Sequence, residues 1–370
     1  MRTMRVLQII DSLNLGGAEV MLTAMAPRFR TRGVDCDVAV LLRSQSPLER
    51  TFREQNVTLY YTDVPKLYSP RQIFSLIKFM NGYDIIHVHL FPAQLWAALA
   101  VASLGTGVPL VTTEHNTWNA RRRWWRRRFD RWMYSRYKHI ACISDATGEE
   151  LVRWCPSAAG KISTIANGIR LDAFETARPA EIPDVPTNVA RLVFVGRFDP
   201  PKDHATILRA LVSVSKAHLL LVGDGPERSR MEGLARSLGI RERVTFLGRR
   251  SDVAAVLKAS DIYVHSTNSD GSGIAACEAM AAGLPVVASD VPGLAQLVTG
   301  AGVLFPVGDD KALAQHLISL IESPELRSEM SQAGVRRARQ FSVENTVDGY
   351  IRMYQSVLQV GAASAVAVVR

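Results

Sequence analysis

The chain reads as a tandem, doubly wound α/β protein with two parallel sheets in succession. Three observations predict this. Short apolar runs alternate with helix-length amphipathic stretches along almost all of the 370 residues, the pattern of βαβ units. That rhythm lapses over 173–187, where three prolines fall in a polar stretch, and then restarts. Three of the later runs end in glycine, which lets the backbone turn tightly and approach a ligand at the carboxyl end of a parallel strand. A chain of this length also exceeds the ~250–300 residues at which one core stops growing.

The first strand is MRVLQII at 4–10, followed by a glycine-containing turn and a helix over about 18–30. Further strands are CDVAVLL (36–42), VTLYY (57–61), DIIHVH (84–89), PLVTTE (109–114) and HIACIS (139–144), with an amphipathic helix at 71–80. Residues 1–172 form the expected first domain, 173–187 a linker and 188–345 the second domain. The second set of strands is RLVFVG (191–196), HLLLVG (218–223), RVTFLG (243–248), DIYVHS (261–266), LPVVAS (284–289) and GVLFPV (302–307). Helices close the chain from about 311, one of them over 344–359. Ligands of such sheets bind outside the carboxyl ends of the strands, so the expected site is a cleft between two facing sets of strand ends.

Composition narrows the class. The chain is 47% hydrophobic and 21% charged, a globular profile rather than a disordered one. Cys36, Cys142, Cys155 and Cys277 are far apart and show no Cys-x-x-Cys spacing, which excludes a disulfide framework or a zinc ribbon. A reduced, cytoplasmic setting is the expectation. No apolar run reaches the ~18 residues that span a bilayer, and the N-terminus turns polar too soon for a signal peptide.

The net charge of +9 is concentrated. Segment 121–138, RRRWWRRRFDRWMYSRYK, holds nine cations against Asp130 alone, eight of the nine net charges. On a helix Trp125, Phe129 and Trp132 form one apolar stripe flanked by guanidiniums. Arginines on anionic headgroups with tryptophan at headgroup level are the chemistry of a helix lying in a membrane surface, each cation contributing about 1 kcal/mol. A core-facing stripe with a solvated basic back, and nucleic-acid binding, are the alternatives.

Several strand ends carry candidate chemistry. Gly16 and Gly17 open a helix after the first strand and can present N–H groups to a phosphate; neither a full Gly-x-Gly-x-x-Gly nor a Walker loop is present. His87 and His89 read as strand-end imidazoles in hydrogen bonds rather than as metal ligands. His115 follows its strand where it could touch a hydroxyl or a phosphate. In VGRFDPPKD, Gly196 precedes Arg197 and Lys202, a planar fork and a point charge suited to a diphosphate. Asp270, Gly271, Gly273 and Glu278 then combine a helix-tip anion site with two carboxylates, Glu278 being able to meet a diol such as a ribose. Asp35 and Asp37 imitate a metal-binding Asp-x-Asp, but they begin a strand rather than end one, and no metal is assigned.

Taken together, GGAE at 16–19, HVH at 87–89, EHN at 114–116, NG at 167–168, GRFDPPK at 196–202, GDGP at 223–226, FLG at 246–248 and the acid-x7-acid block at 270–278 resemble the family 4 glycosyltransferases. These are retaining enzymes of the two-domain GT-B fold. The resemblance implies that Arg197 and Lys202 bind the donor diphosphate, with the backbone of Gly273, Ile274 and Ala275 facing the phosphates. It further implies that Glu278 holds the ribose, Asp270 contacts the donor sugar and His115 sits beside the reacting centre. Gly16, Gly17, Gly196, Gly248 and Arg249 shape the donor site, and base contacts are expected from main chain near 248–250. The last helix, about 346–370, is expected to return to the first domain. The family usually has Glu where this chain has Asp270, one methylene shorter, and Ser272 replaces a common aromatic; both bear on which sugar is accepted.

The implied reaction is glycosyl transfer with retention from a nucleotide-sugar donor, a UDP-sugar in preference to a GDP-sugar, with no further cofactor. Arg122, Trp124, Trp125, Arg126, Phe129 and Trp132 are assigned to an anionic membrane surface on the inner face of the cell membrane. There the chain would meet a polyprenyl-diphosphate-linked saccharide. No nucleic acid is expected. A nucleotide-sugar epimerase of the same fold, or a non-catalytic basic binding protein, are the competing readings.

Overall fold

A computed structural model describes residues 3–14, 16–104, 107–115, 123–183 and 185–368, with backbone alone at 104 and 361–368. The chain divides into two compact units, one formed by 1–168 with 343–370 and the other by 169–342.

The N-terminal unit is built on seven parallel strands: β1 (Met4–Ile10), β2 (Val34–Val40), β3 (Leu59–Tyr61), β4 (Ile85–His89), β5 (Leu110–Glu114), β6 (His139–Cys142) and β7 (Ile162–Thr164). Their order is β3-β2-β1-β4-β5-β6-β7. The order reverses between β1 and β4, which are paired in register from Val6 with Ile85 to Ile9 with Val88. Strands buried on both faces need continuous apolar runs, and β1 and β4 supply them with Leu7, Ile9, Ile86 and Val88 in the core. Helix Val343–Val368 belongs to this unit, with Val343, Val347, Tyr350 and Tyr354 fully buried.

The C-terminal unit has six parallel strands: β8 (Ala190–Val195), β9 (Ala217–Val222), β10 (Val244–Gly248), β11 (Ile262–His265), β12 (Val286–Ser289) and β13 (Val303–Phe305). Their order is β10-β9-β8-β11-β12-β13, reversing between β8 and β11. Leu219 and Leu221 of β9 pack into one buried cluster and Leu220 and Val222 into another, as alternation along a central strand requires. Gly223, just past β9, has φ +135°, and a Cβ there would lie 1.9 Å from the carbonyl oxygen of Gly196. Glycine is therefore required where the ends of β8 and β9 meet.

The expected linker over 173–187 is corrected. Leu171–Thr176 is a helix with Phe174 buried among Val256, Leu257, Cys277 and Met280 of the C-terminal unit. The chain passes between units at 168/169 and again at 342/343, not at 172, 188 and 345.

Candidate functional site

In the C-terminal unit the chemistry gathers where β8 and β11 diverge, the ligand position of an open α/β sheet. The loop after β8 is stitched to the loop after β11: Lys202 bridges Thr267, Asp203 N–H donates to Ser266 (3.1 Å) and Asn268 N–H to Pro201 (2.9 Å). This brings the Lys202 ammonium 2.5 Å from Asp270 Oδ2. His265 Nε2 lies 3.1 Å from the same oxygen and 3.0 Å from Lys202 Nζ. Behind it, the Tyr263 hydroxyl lies 3.0 Å from His265 Nδ1. The tautomer with Nε2–H donates to Asp270 and accepts from Tyr263, satisfying the imidazole at both ends.

Asp270 Oδ1 accepts from the N–H groups of Ser272 (3.1 Å) and Gly273 (2.7 Å). The carboxylate thus meets four donors, two on each oxygen, and its lone pairs are filled. Burial pushes this carboxyl up, but the hydrogen bonds from His265 and Lys202 and the charge of Lys202 outweigh it and hold the group far below the usual carboxylate range. His265 is held down in turn by burial and by the Lys202 charge. Asp270 therefore acts here as the anchor of Lys202 and of the turn at 270–273. The shorter arm, one methylene less than Glu, is taken up in that anchoring.

That turn leads into helix Ile274–Ala281, whose N-cap Gly273 has φ +62° and would press a Cβ to 2.8 Å from Leu294. Ile274 and Ala275 in the first turn are half-buried, so its free N–H groups form a positive end. On the same helix, burial alone raises the Glu278 carboxyl to about 7. Among the described residues no cation pairs with it. A half-buried carboxyl without a cation is what a neutral diol would complete. Arg197 lies outside this cluster: its side chain is 76% exposed and paired with Asp199 at 3.0 Å. Arg249 is likewise exposed, just after Gly248 at the end of β10.

In the N-terminal unit, Gly16 caps helix Gly17–Thr31 with extended backbone and no side-chain cap of its own, and the Glu19 carboxylate folds back over Gly16 at the tip of that helix. His115 follows β5, and its Nε2 is 3.1 Å from His89 Nδ1. His87 and His89 are fully buried and hydrogen-bonded to Tyr354 (2.7 Å), Thr113 (2.8 Å) and Gln8 (2.8 Å). Burial lowers His87 to about 3 and His115 to about 4. All three imidazoles are neutral near pH 7.

The basic aromatic segment is helical over a shorter span than its sequence reading. Trp124–Arg126 is a single 3-10 turn that runs into the α-helix Arg127–Ser135. The Phe129 and Trp132 rings lie 6.3 Å apart and Trp125 and Phe129 line one groove, while Trp132 also packs against the core. The core-facing residues are Asp130, Met133, Tyr134 and Tyr137. Trp124 is 85%, Trp125 53% and Phe129 40% exposed, so these aromatics do not face the core. Asp130 is buried and accepts from Trp154 Nε1 at 2.8 Å, so the segment's one acid is withdrawn from a face showing Arg123, Arg127, Arg128, Arg131 and Arg136. Tyr68, Phe91, Trp125, Arg126 and Phe129 line an apolar groove of about 410 Å³. Arg121, Arg122 and Asn116 lie outside the described residues.

Sequence reasoning missed His265 and Tyr263, although a histidine and a tyrosine at i and i+2 of a buried strand share one face. It also missed Gln8, Tyr350 and Tyr354, polar groups in otherwise apolar elements.

Two all-parallel α/β units of seven and six strands, with polar groups at the strand ends, make this a GT-B glycosyltransferase fold. Anabaena HepE, solved with UDP-glucose, superposes with a TM-score of 0.82 over 95% of this chain and 100% of that one, at 21% identity. WaaG, a glycosyltransferase involved in lipopolysaccharide biosynthesis, superposes with a TM-score of 0.69 over 94% and 99%, at 16% identity. Residues 15–173 match the model of Glycosyltransferase Family 4 and residues 179–337 that of Glycosyl transferases group 1. The chain belongs to the family 4 glycosyltransferases. It is 34% identical over 196 residues to the lipopolysaccharide core biosynthesis glycosyltransferase LpsD of Rhizobium meliloti, covering 52% of this chain and 57% of that protein. It is 31% identical over 226 residues to the phosphatidyl-myo-inositol mannosyltransferase of Mycobacterium leprae, covering 58% and 59%. These matches span under two thirds of either relative.

Proposed function

We propose that this chain transfers a sugar, with retention, from a nucleotide-sugar donor to a lipid-linked saccharide at an anionic membrane surface. The observation that carries the reading is the Lys202 ammonium, held by Asp270 beside the N-terminal end of helix Ile274–Ala281. A diphosphate leaving group gains negative charge as the glycosyl bond breaks. A fixed cation and free helix N–H groups stabilise that charge without reorganising. Arg197 adds a mobile guanidinium, released from Asp199 to the departing phosphate, and with these cations taking up the charge no metal ion is required. Glu278 accepts from the ribose hydroxyls, and main chain near Gly248 and Arg249 contacts the base. Gly16, Gly17 and His115 of the N-terminal unit serve the reacting sugar and its acceptor. Attack on the face the diphosphate leaves, assisted by that phosphate, retains the configuration.

The donor is a UDP-sugar, the ligand solved with HepE, and the acceptor a polyprenyl-diphosphate-linked saccharide. LpsD and the M. leprae relative are named for lipopolysaccharide and phosphatidylinositol work, which favours a lipid-linked acceptor. Exposed Trp124, Trp125 and Phe129 among arginines provide the contact with anionic headgroups on the cytoplasmic face. Among the described residues no helix is long and apolar enough to cross a membrane.

A thermal-shift panel of UDP-, GDP- and ADP-sugars, followed by transfer assays, tests the donor; the UDP-sugar should raise Tm most. No shift with any of them and no transfer would overturn the proposal. Co-sedimentation should show binding to anionic vesicles and little to neutral ones; equal binding to both would remove the membrane part.

A further inference from the structure

Seven buried or half-buried polar side chains in the N-terminal unit form one unbroken hydrogen-bonded chain. It starts on helix Val343–Val368 and ends at His115. The Tyr350 hydroxyl meets Thr113 Oγ1 (3.0 Å), Thr113 meets His87 Nε2 (2.8 Å), and His87 Nδ1 meets the Tyr354 hydroxyl (2.7 Å). Gln8 Nε2 donates to Tyr354 (3.1 Å), Gln8 Oε1 meets His89 Nε2 (2.8 Å), and His89 Nδ1 meets His115 Nε2 (3.1 Å). Gln8, His87, His89, Thr113, Tyr350 and Tyr354 are all buried, so water does not scramble the order of donors.

The direction of each bond follows from its neighbour. The Gln8 amide nitrogen donates to the Tyr354 oxygen. Its carbonyl oxygen can then only accept, so His89 must carry its proton on Nε2. His89 Nδ1 is left with a lone pair, and the group that can fill it is an N–H on His115 Nε2. Two neutral imidazoles sharing one hydrogen bond cannot both donate or both accept. The other branch is consistent: Tyr354 receives from Gln8 and donates to His87 Nδ1, and His87 Nε2–H donates to Thr113. Thr113 in turn donates to Tyr350. His115 Nδ1 has no hydrogen-bond partner among the described residues.

We infer that the C-terminal helix sets the proton position on His115: Tyr354, through Gln8 and His89, fixes the Nε2–H tautomer and leaves Nδ1 as a hydrogen-bond acceptor for a substrate hydroxyl. Gln8, His89 and Tyr354 are positioning residues, acting through His115. The role of the free Nδ1 toward a sugar rests on the glycosyltransferase reading above; the tautomer itself does not. A helix distant in sequence, and buried against the sheet by Tyr350 and Tyr354, thereby decides whether His115 accepts or donates.

The test is imidazole nitrogen NMR on the full chain labelled at histidine, at pH 7, with His115→Gln used to assign the signal. The expected result is Nε2–H on His115. A protonated Nδ1, or an imidazolium, would overturn the inference whatever sugar the enzyme uses. Tyr354→Phe and Gln8→Leu should each turn the single tautomer into a mixture. Transfer should then fall about tenfold in kcat with little change in donor KM, a fraction of the range attributed to a positioned acid or base. A single unchanged tautomer in both folded variants would also overturn it. Should the core substitution Gln8→Leu fail to fold, Tyr354→Phe and the wild-type spectrum still decide. Absence of transfer by the wild type would count against the proposed reaction, while the tautomer measurement would stand by itself.

Discussion

Each unit buries a polar cluster near corresponding strands, one ionic and the other made of uncharged groups. In the C-terminal unit the cluster is ionic: Lys202, Asp270 and two backbone N–H groups around a neutral His265. In the N-terminal unit it is a neutral relay of imidazoles, hydroxyls and an amide. A buried ion pair gains little net energy over apolar packing, yet losing one partner strands the other charge. A neutral network costs less to break, and what it fixes is where each proton sits.

The largest expected effect follows from the ionic side. Asp270→Ala strands the Lys202 ammonium and frees two N–H groups, so it should destabilise the C-terminal unit by about 3–5 kcal/mol and abolish transfer. Denaturant unfolding of the variant checks this. A loss under about 1 kcal/mol, the scale of exposed pairs, would show that water reaches the cluster freely. Because Asp270 is held far below its ordinary value, its contribution is complete above pH 4 and fades only in stronger acid.

On the neutral side, His87→Gln should cost about 1–3 kcal/mol at pH 7, the scale of a buried hydrogen bond left unmade. The pH profile separates it from Asp270→Ala. His87 is lowered from 6.5 to about 3, so the folded unit binds fewer protons than the unfolded chain between those values. Stability from this group is present above pH 6.5 and is lost as pH falls toward 3. The gap between wild type and variant in a Tm series should therefore narrow on acidification. A constant gap would mean that His87 titrates normally.

How much of this the sequence displays depends on how each element buries its surface. The parallel strands are legible because burial on both faces demands runs such as HLLLVG, leaving only their ends polar. Lys202 and Asp270 are legible for the same reason, as polar residues on the loops that follow such runs, and Glu278 as the one acid in the helix after them. The helix Leu171–Thr176 is not, since six residues with one buried aromatic, Phe174, give no period to detect. The basic segment reads less plainly because two registers compete. Residues 125, 129 and 132 carry the helical spacing in aromatics, while 130, 133, 134 and 137 carry it too. Asp130 disguises the second stripe, and it sits at a core position with the Trp154 indole N–H donating to its carboxylate. The four-way coordination of Asp270 depends on the stitching of two loops 60 or more positions apart in sequence, which no local pattern encodes.

Glu278 gives a smaller, ligand-side contrast between charge and neutrality. Burial raises its carboxyl to about 7, and under the proposed role the ionised form is the one that accepts from both ribose hydroxyls. Donor affinity should then rise with pH and level off above 7, the apparent Kd falling about tenfold between pH 6 and pH 8, or about 1.4 kcal/mol. Isothermal titration across that range measures it. Glu278→Gln should bind more weakly at pH 8 and show a flat profile. An equally steep profile in the variant would move the titrating group elsewhere.

The smallest expected effect concerns how the last helix is held. Two ion pairs tie Val343–Val368 to helix Gly17–Thr31 and its C-terminal cap: Arg28 to Glu344 at 2.7 Å and Arg32, just past the helix end, to Asp348 at 2.5 Å. The acidic partners are over 40% exposed, so solvent screens both pairs. Removing either by Glu344→Gln or Asp348→Asn should cost less than about 1 kcal/mol, and less still at high salt. Tyr354 is fully buried in the same helix and hydrogen-bonded to both His87 and Gln8. If packing and the neutral relay seat this helix, Tyr354→Phe should exceed either charge substitution in its effect on Tm, and salt should leave it unchanged. The reverse order would make the helix an electrostatic attachment, and a relay that depends on its position would then loosen as ionic strength rises.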